Sequence, residues 1–108
     1  MIPNNKAALP QYGISKASII YEAPVEGRTT RLMAYFEDYD DLERIGPARS
    51  SRDYYVYEAM AYDAIYCNWG LAVPYVSDLI NSDRVDNISV TLQGINKGAD
   101  EAFKRYTR

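Results

Sequence analysis

The residues best suited to chemistry in this sequence fall into two groups. One is Arg49-Ser50-Ser51-Arg52, which follows Gly46-Pro47-Ala48 and precedes an apolar helical pattern. A helix start presents unpaired backbone N–H groups and a partial positive charge, so it attracts anions. Two arginines would add charge there, and two serines would add hydroxyl donors. Such a site suits a phosphate, a sulfate or the carboxylate of a sugar acid or peptide. The other group is Glu22 and Glu26, in Tyr-Glu-Ala-Pro-Val-Glu-Gly, with Arg31 shortly after. Two carboxylates can serve as a glycosidase acid and nucleophile at about 5–5.5 Å, or as an acid and base at about 6.5–9.5 Å. Four steps of straight strand separate them by about 13 Å, so ion pairing with Arg31, Arg49 or Arg52 is the expected role. Both groups can equally serve structure alone, with the arginines neutralising the protein's own carboxylates.

Other chemistries are excluded by composition. The chain has 108 residues and no histidine, so no serine–histidine triad and no histidine-ligated metal can form. Its single cysteine, Cys67, allows neither an intrachain disulfide nor a thiolate zinc site. With no histidine to activate it, Cys67 reads as a buried, inert thiol. The acidic run Asp38 to Glu43 lacks the glycine and glutamate of a calcium-binding EF-hand loop, so it reads as a solvated loop. No metal or cofactor is expected. The net charge of −3 disfavours nucleic acid and anionic lipid. Eight of the basic residues are arginine and four are lysine, a bias toward bidentate pairing with carboxylates or anions. Eleven tyrosines fit a half-buried sheet domain or a sugar- or peptide-binding surface. Asn87-Ile88-Ser89 matches a glycosylation sequon but falls in an expected strand.

These residues need elements to hold them. Met1 to Gly13 reads as irregular, punctuated by Pro3, Pro10 and Gly13. Ala17 to Ala23 and Thr29 to Glu37 read as strands, paired as a hairpin across Pro24–Arg28. On the second strand Thr30, Leu32, Ala34 and Phe36 would share a face. Ser50 and Asp53 have the capping-box spacing, which predicts a helix from Ser50 to about Tyr62. Its apolar stripe is Tyr55, Val56, Ala59, Met60 and Tyr62. Asp63 to Cys67 reads as a short buried strand, Pro74 to Asn81 as a second helix with Val76, Leu79 and Ile80 on one face, and Asn87 to Leu92 as a further strand. Ala99 to Arg108 reads as a polar helix or tail. The order β-β-α-β-α-β predicts an α/β layered sandwich with a mixed sheet.

Several stretches, in order, resemble the YerB-like family of bacterial envelope lipoproteins. They are Gly13-Ile14-Ser15-Lys16-Ala17-Ser18-Ile19-Ile20-Tyr21-Glu22, Val25-Glu26-Gly27, Thr30-Arg31-Leu32-Met33-Ala34, Gly46 to Arg52, Asp63-Ala64-Ile65-Tyr66 and Asp86-Asn87-Ile88-Ser89. The resemblance covers about residues 4 to 95. It implies a layered α/β domain of a Gram-positive envelope protein, of unknown biochemical function, held to the membrane by a lipidated cysteine. Met1 to Asn5 shows no signal peptide, and Cys67 is misplaced for lipidation. Relatives also continue past the region of Arg105 to Arg108 into a segment with arginine, proline, histidine and asparagine. Both points lead us to expect a single partial domain, an internal piece of a longer one. Asn68 stands where relatives usually carry a histidine.

The expectation from these readings is a non-enzymatic ligand-binding domain with Glu22, Glu26, Arg31, Arg49, Ser50, Ser51 and Arg52 as candidate contacts. The ligand would be an anionic small molecule, glycan or peptide. Nucleic acid is not an expected partner, and the membrane is one only through a lipid anchor outside this chain. Self-association through exposed sheet edges is a further expectation. The alternatives are a carboxylate-based hydrolase of cell-wall glycan and a cytoplasmic interaction module.

Overall fold

In the computed structural model, residues 1–70 and 76–89 are described. They fall into two compact units that divide between Ala48 and Arg49. Both helices and strands are present, and the fold is α/β.

The first unit is built on three antiparallel strands, β1 (Ile2–Asn4), β2 (Ile19–Val25) and β3 (Thr29–Tyr35), in the order β1-β3-β2. The expected hairpin is β2–β3, and its register pairs Ile19 with Tyr35 and Val25 with Thr29. Pro24 does not end β2. The strand runs one residue beyond it, and a 3-10 turn at Glu26–Arg28 makes the reversal. Gly27 (φ 77°) and Arg28 (φ 59°) supply the positive φ values.

β1 corrects the reading of Met1 to Gly13 as irregular. Pro3 argues against a strand because it has no N–H to give. Here it sits on an edge strand and opposite Arg31, where that loss is tolerated. Two 3-10 turns, Lys6–Ala8 and Ile14–Lys16, occupy the link to β2. Tyr12 and Gly46 exchange backbone hydrogen bonds of 2.8 and 3.2 Å, and the Arg44 guanidinium lies 3.8 Å from the Tyr12 ring centre. Gly13 must be glycine: φ is 76° and a Cβ would meet the Arg44 carbonyl oxygen at 2.4 Å. Ile2 and Leu32 are buried on one face of the sheet, and Ala23 and Met33 on the other.

The second unit contains α1 (Asp53–Ala61), β4 (Tyr66–Asn68), α2 (Ser77–Ile80) and β5 (Asn87–Ser89). β4 and β5 pair in parallel, with Tyr66 opposite Asn87, and α2 lies in the crossover between them. Parallel and antiparallel pairing thus occur as expected, but among the described residues they lie in separate sheets.

The expected stripe on α1 buries Tyr55, Val56 and Ala59, leaves Met60 half-buried and exposes Tyr62. The helix ends in a Schellman motif: the Ala64 amide donates to the Ala59 carbonyl and the Asp63 amide to the Met60 carbonyl. Asp63 takes the left-handed position (φ 50°) that glycine usually fills. This turn consumes residues 63–65, so β4 starts three residues later than expected. Of the expected apolar face, Val76 and Ile80 are buried and Leu79 is half-buried, but α2 spans only Ser77–Ile80, with Val76 at its N-cap. Pro74, residues 90–92 and the segment from Ala99 to Arg108 lie outside the described residues.

Candidate functional site

The Arg49–Arg52 segment lies outside regular secondary structure and leads into α1, with Arg52 extended; it is not the first turn of the helix. The N-cap is Arg52, and no side chain caps it. The S-x-x-D capping box therefore does not form. Ser50 and Ser51 are held instead by the strand end beyond β4. The Ser51 amide donates to the Gly70 carbonyl at 3.0 Å, and the Trp69 amide donates to the Arg49 carbonyl at 3.1 Å. Gly70 approaches so closely that a Cβ on it would stand 2.8 Å from the Ser50 hydroxyl, and its φ is +90°.

Each polar side chain of the segment has its own fate. Ser51 is fully buried (0 % exposed), and its hydroxyl lies 2.8 Å from the Tyr66 hydroxyl and 3.2 Å from the Arg52 carbonyl. It is a structural hydroxyl, not a surface donor. The Arg52 guanidinium donates to the Ser51 carbonyl at 2.7 Å, which folds it back on the backbone. Asp53 turns its carboxylate to the Tyr54 amide at 2.9 Å and so supplies an anion of its own at the helix start. Arg49 alone in the segment is exposed, and its side chain makes no hydrogen bond or ion pair among the described residues.

Behind this segment lies a polar network that motif reasoning did not assemble. Asn68, 5 % exposed, donates to the Gly70 carbonyl at 2.7 Å. Asn87 donates to the Asn68 side-chain oxygen at 2.9 Å and to the Tyr66 carbonyl at 2.8 Å. Ser51, Tyr66, Asn68 and Asn87 thus tie the approach to α1, strand β4 and strand β5 together. The Asn87 side-chain oxygen is buried with no hydrogen-bond partner among the described residues. The amide of the sequon asparagine is spent on this network. A lone amide in a short apolar strand, Asn68 between Cys67 and Trp69-Gly70, was the available sequence signal, since a buried amide needs a nearby carbonyl to satisfy it.

In the first unit, Glu22 accepts hydrogen bonds from Asn4 at 3.0 Å and from the Thr30 hydroxyl. All three residues lie on one face, where Asn4 opposes Thr30 on β3 and Glu22 opposes Leu32. Arg31 opposes Pro3 and Ala23, and alternation along β3 places it on the other face. The register therefore separates Arg31 from Glu22. Glu26 sits in the turn after β2. Glu22, Glu26 and Arg31 belong to one compact unit and Arg49 to Arg52 to the other, and each group is a feature of its own unit.

Cys67 is exposed, contrary to the expectation of a buried thiol, because its neighbours Tyr66 and Asn68 take the two inward positions of β4. Desolvation still raises its thiol pKa above the ordinary value. A small open cleft of about 90 Å³ is lined by Met60, Asp63, Ala64, Asp83, Arg84, Val85 and Asp86. Its carboxylates do not form a cluster suited to a metal ion, and no such group occurs among the described residues. Among the same residues no helix is long and apolar enough to cross a membrane.

An α/β domain of this construction agrees with the comparisons. The chain belongs to the family described as protein of unknown function (DUF3048), N-terminal domain, which matches residues 1–108. It is 40% identical over 70 residues to a Bacillus subtilis (strain 168) protein named "Putative lipoprotein YerB", a match covering 65% of this chain and 21% of that protein. The crystal structure of YerB from Bacillus subtilis superposes with a TM-score of 0.71 at 32% identity, over 83% of this chain and 30% of the other. The chain thus spans less than a third of either relative.

Proposed function

We propose that this chain is a non-catalytic binding domain of an extracytoplasmic, lipid-anchored YerB-like protein. Its ligand is an anionic small molecule, glycan or peptide, and its contact is Arg49. The observation that carries this reading is the division of labour in the Arg49–Arg52 segment. Ser51 and Arg52 are engaged with the protein itself, and the backbone is laddered to Trp69 and Gly70, while the Arg49 guanidinium stands exposed. A cation on a fixed backbone loses less freedom on binding than one on a mobile loop. Its planar fork suits a carboxylate or a phosphate. Ser50 and the amides entering α1 would be the neighbouring donors. The lipid anchor and the location outside the cytoplasm come from the name of the relative. They apply here as part of the proposal.

The test is a titration of the isotope-labelled chain with inorganic phosphate and, separately, with a muropeptide, followed by amide chemical shifts. Shifts centred on residues 49–53 that saturate, and that vanish in Arg49→Ala, support the proposal. An unperturbed spectrum with both probes, or identical shifts in Arg49→Ala, refutes it.

A further inference from the structure

Glu22 takes no part in the site proposed around Arg49, and its carboxylate is held from one side only. Its Oε1 accepts from the Asn4 side-chain amide at 3.0 Å and from the Thr30 hydroxyl, and Asn4 also donates to that hydroxyl at 2.9 Å. Its Oε2 has no partner among the described residues. The three side chains come from three neighbouring strands, so the sheet itself fixes where the carboxylate stands. Asn4 and Glu22 are both exposed. The sheet supplies no cation to meet this charge: Arg31 is the one basic residue of β1, β2 and β3, and register puts it on the opposite face. Two residues back along β2 on the same face, about 7 Å away, Ile20 is 49 % exposed and stands opposite Ala34.

We infer that this face of the first unit's sheet binds a primary ammonium group carried on an aliphatic stem, the chemistry of a lysine side chain. The free oxygen of a carboxylate calls for a donor, and a charged donor makes the shorter and stronger bond. With Oε1 already taken, a guanidinium cannot close its two-point fork on the carboxylate. An ammonium is a compact point charge and needs Oε2 alone. A neutral sugar hydroxyl would leave the charge of Glu22 unmatched. Ile20 gives the methylene stem an apolar surface to lie along while the ammonium reaches Glu22. Asn4 and Thr30 already order the carboxylate, so binding costs it little further freedom. This inference goes beyond the anion site and does not rest on it, because Asn4, Ile20, Glu22 and Thr30 belong to the first unit and Arg49 to the second.

The test is an amide chemical-shift titration of the isotope-labelled intact chain with three probes. They are Nα-acetyl-lysine methylamide, Nα-acetyl-norleucine methylamide, which keeps the stem and lacks the ammonium, and butylammonium. The lysine probe is expected to shift the Asn4 side-chain amide and the backbone amides of residues 20–22 and 30, to saturate in the millimolar range, and to bind more weakly as salt is raised. The norleucine probe is expected to leave them unmoved. Glu22→Gln keeps the shape and removes the charge, and is expected to weaken binding about 3- to 10-fold. Thr30→Val keeps the charge and removes one of its two holds, and is expected to weaken binding by a smaller factor. The salt and norleucine comparisons use the unaltered protein, so they stand whatever the variants do to folding. Butylammonium binding as tightly as the lysine probe assigns the site to a free amine, and weaker binding assigns it to a peptide side chain; both results keep the ammonium. The absence of a saturating shift with either amine overturns the inference. So does a norleucine probe that moves the same residues as strongly, or a folded Glu22→Gln protein that binds the lysine probe with unchanged affinity.

Discussion

The contact between the Ser51 and Tyr66 hydroxyls joins the approach to α1 to strand β4, and its removal is expected to weaken the second unit measurably. The pair is buried at 2.8 Å, with Ser51 fully enclosed and Tyr66 nearly so. A neutral buried hydrogen bond contributes about 1 kcal/mol net, and stripping one partner adds a desolvation penalty of about 1–3 kcal/mol for the group left behind. Tyr66→Phe leaves Ser51 with its longer contact to the Arg52 carbonyl at 3.2 Å, so its cost is expected near the lower end, about 1–2 kcal/mol. Ser51→Ala deprives the Tyr66 hydroxyl of this partner and is expected to cost about 1–3 kcal/mol. The double variant removes both polar groups together, so its cost should fall below the sum of the two single changes by about 1 kcal/mol. Urea unfolding followed by circular dichroism on all four proteins measures that difference. A coupling indistinguishable from zero would mean the two hydroxyls do not act on each other, and the account of how Arg49 is positioned would fail with it.

Gly70→Ala should destabilise the protein by about 1–3 kcal/mol, because φ is +90° and the added Cβ meets the Ser50 hydroxyl. Adding Ser50→Ala to it should recover the contact part of that loss and leave the backbone part, which thermal melts of the two variants can separate. Asn68→Ala removes hydrogen bonds to Gly70 and Asn87 from a buried position, so a loss of about 2–4 kcal/mol is expected in urea titration. Cys67 should react with iodoacetamide along a pH profile displaced upward from that of a small thiol, because desolvation raises its pKa. A raised folded-state value also means that the folded state resists losing this proton. Its stabilising effect is then complete below the unfolded-state pKa and is lost as pH rises through the folded-state value, which a comparison with Cys67→Ser at alkaline pH measures.

The local patterns held where a single element produces its own signal. The apolar period of α1 marked Tyr55, Val56 and Ala59, which are buried, and the β-formers on either side of Gly27 marked the β2–β3 hairpin. The absence of histidine and the single cysteine bounded the chemistry without any structure. The α/β class and the family were also legible, because the first depends on element order and the second on motifs spread in order along the chain.

What depends on distant partners was not legible. Pro3 belongs to a strand because β3 offers it a place on an edge where its missing N–H costs nothing. Ser50 fails as a cap because the strand end at Trp69–Gly70 claims the backbone around it and Tyr66 claims the next hydroxyl. Arg31 and Glu22 look adjacent as neighbours on a hairpin, yet register sets them on opposite faces, and a shift of one residue would reverse that. Asn68 and Asn87 meet only because β4 and β5 run parallel, with α2 in the crossover between them. Capping, pairing and ion contacts are competitions between partners far apart in sequence, and only the folded chain decides which partner wins.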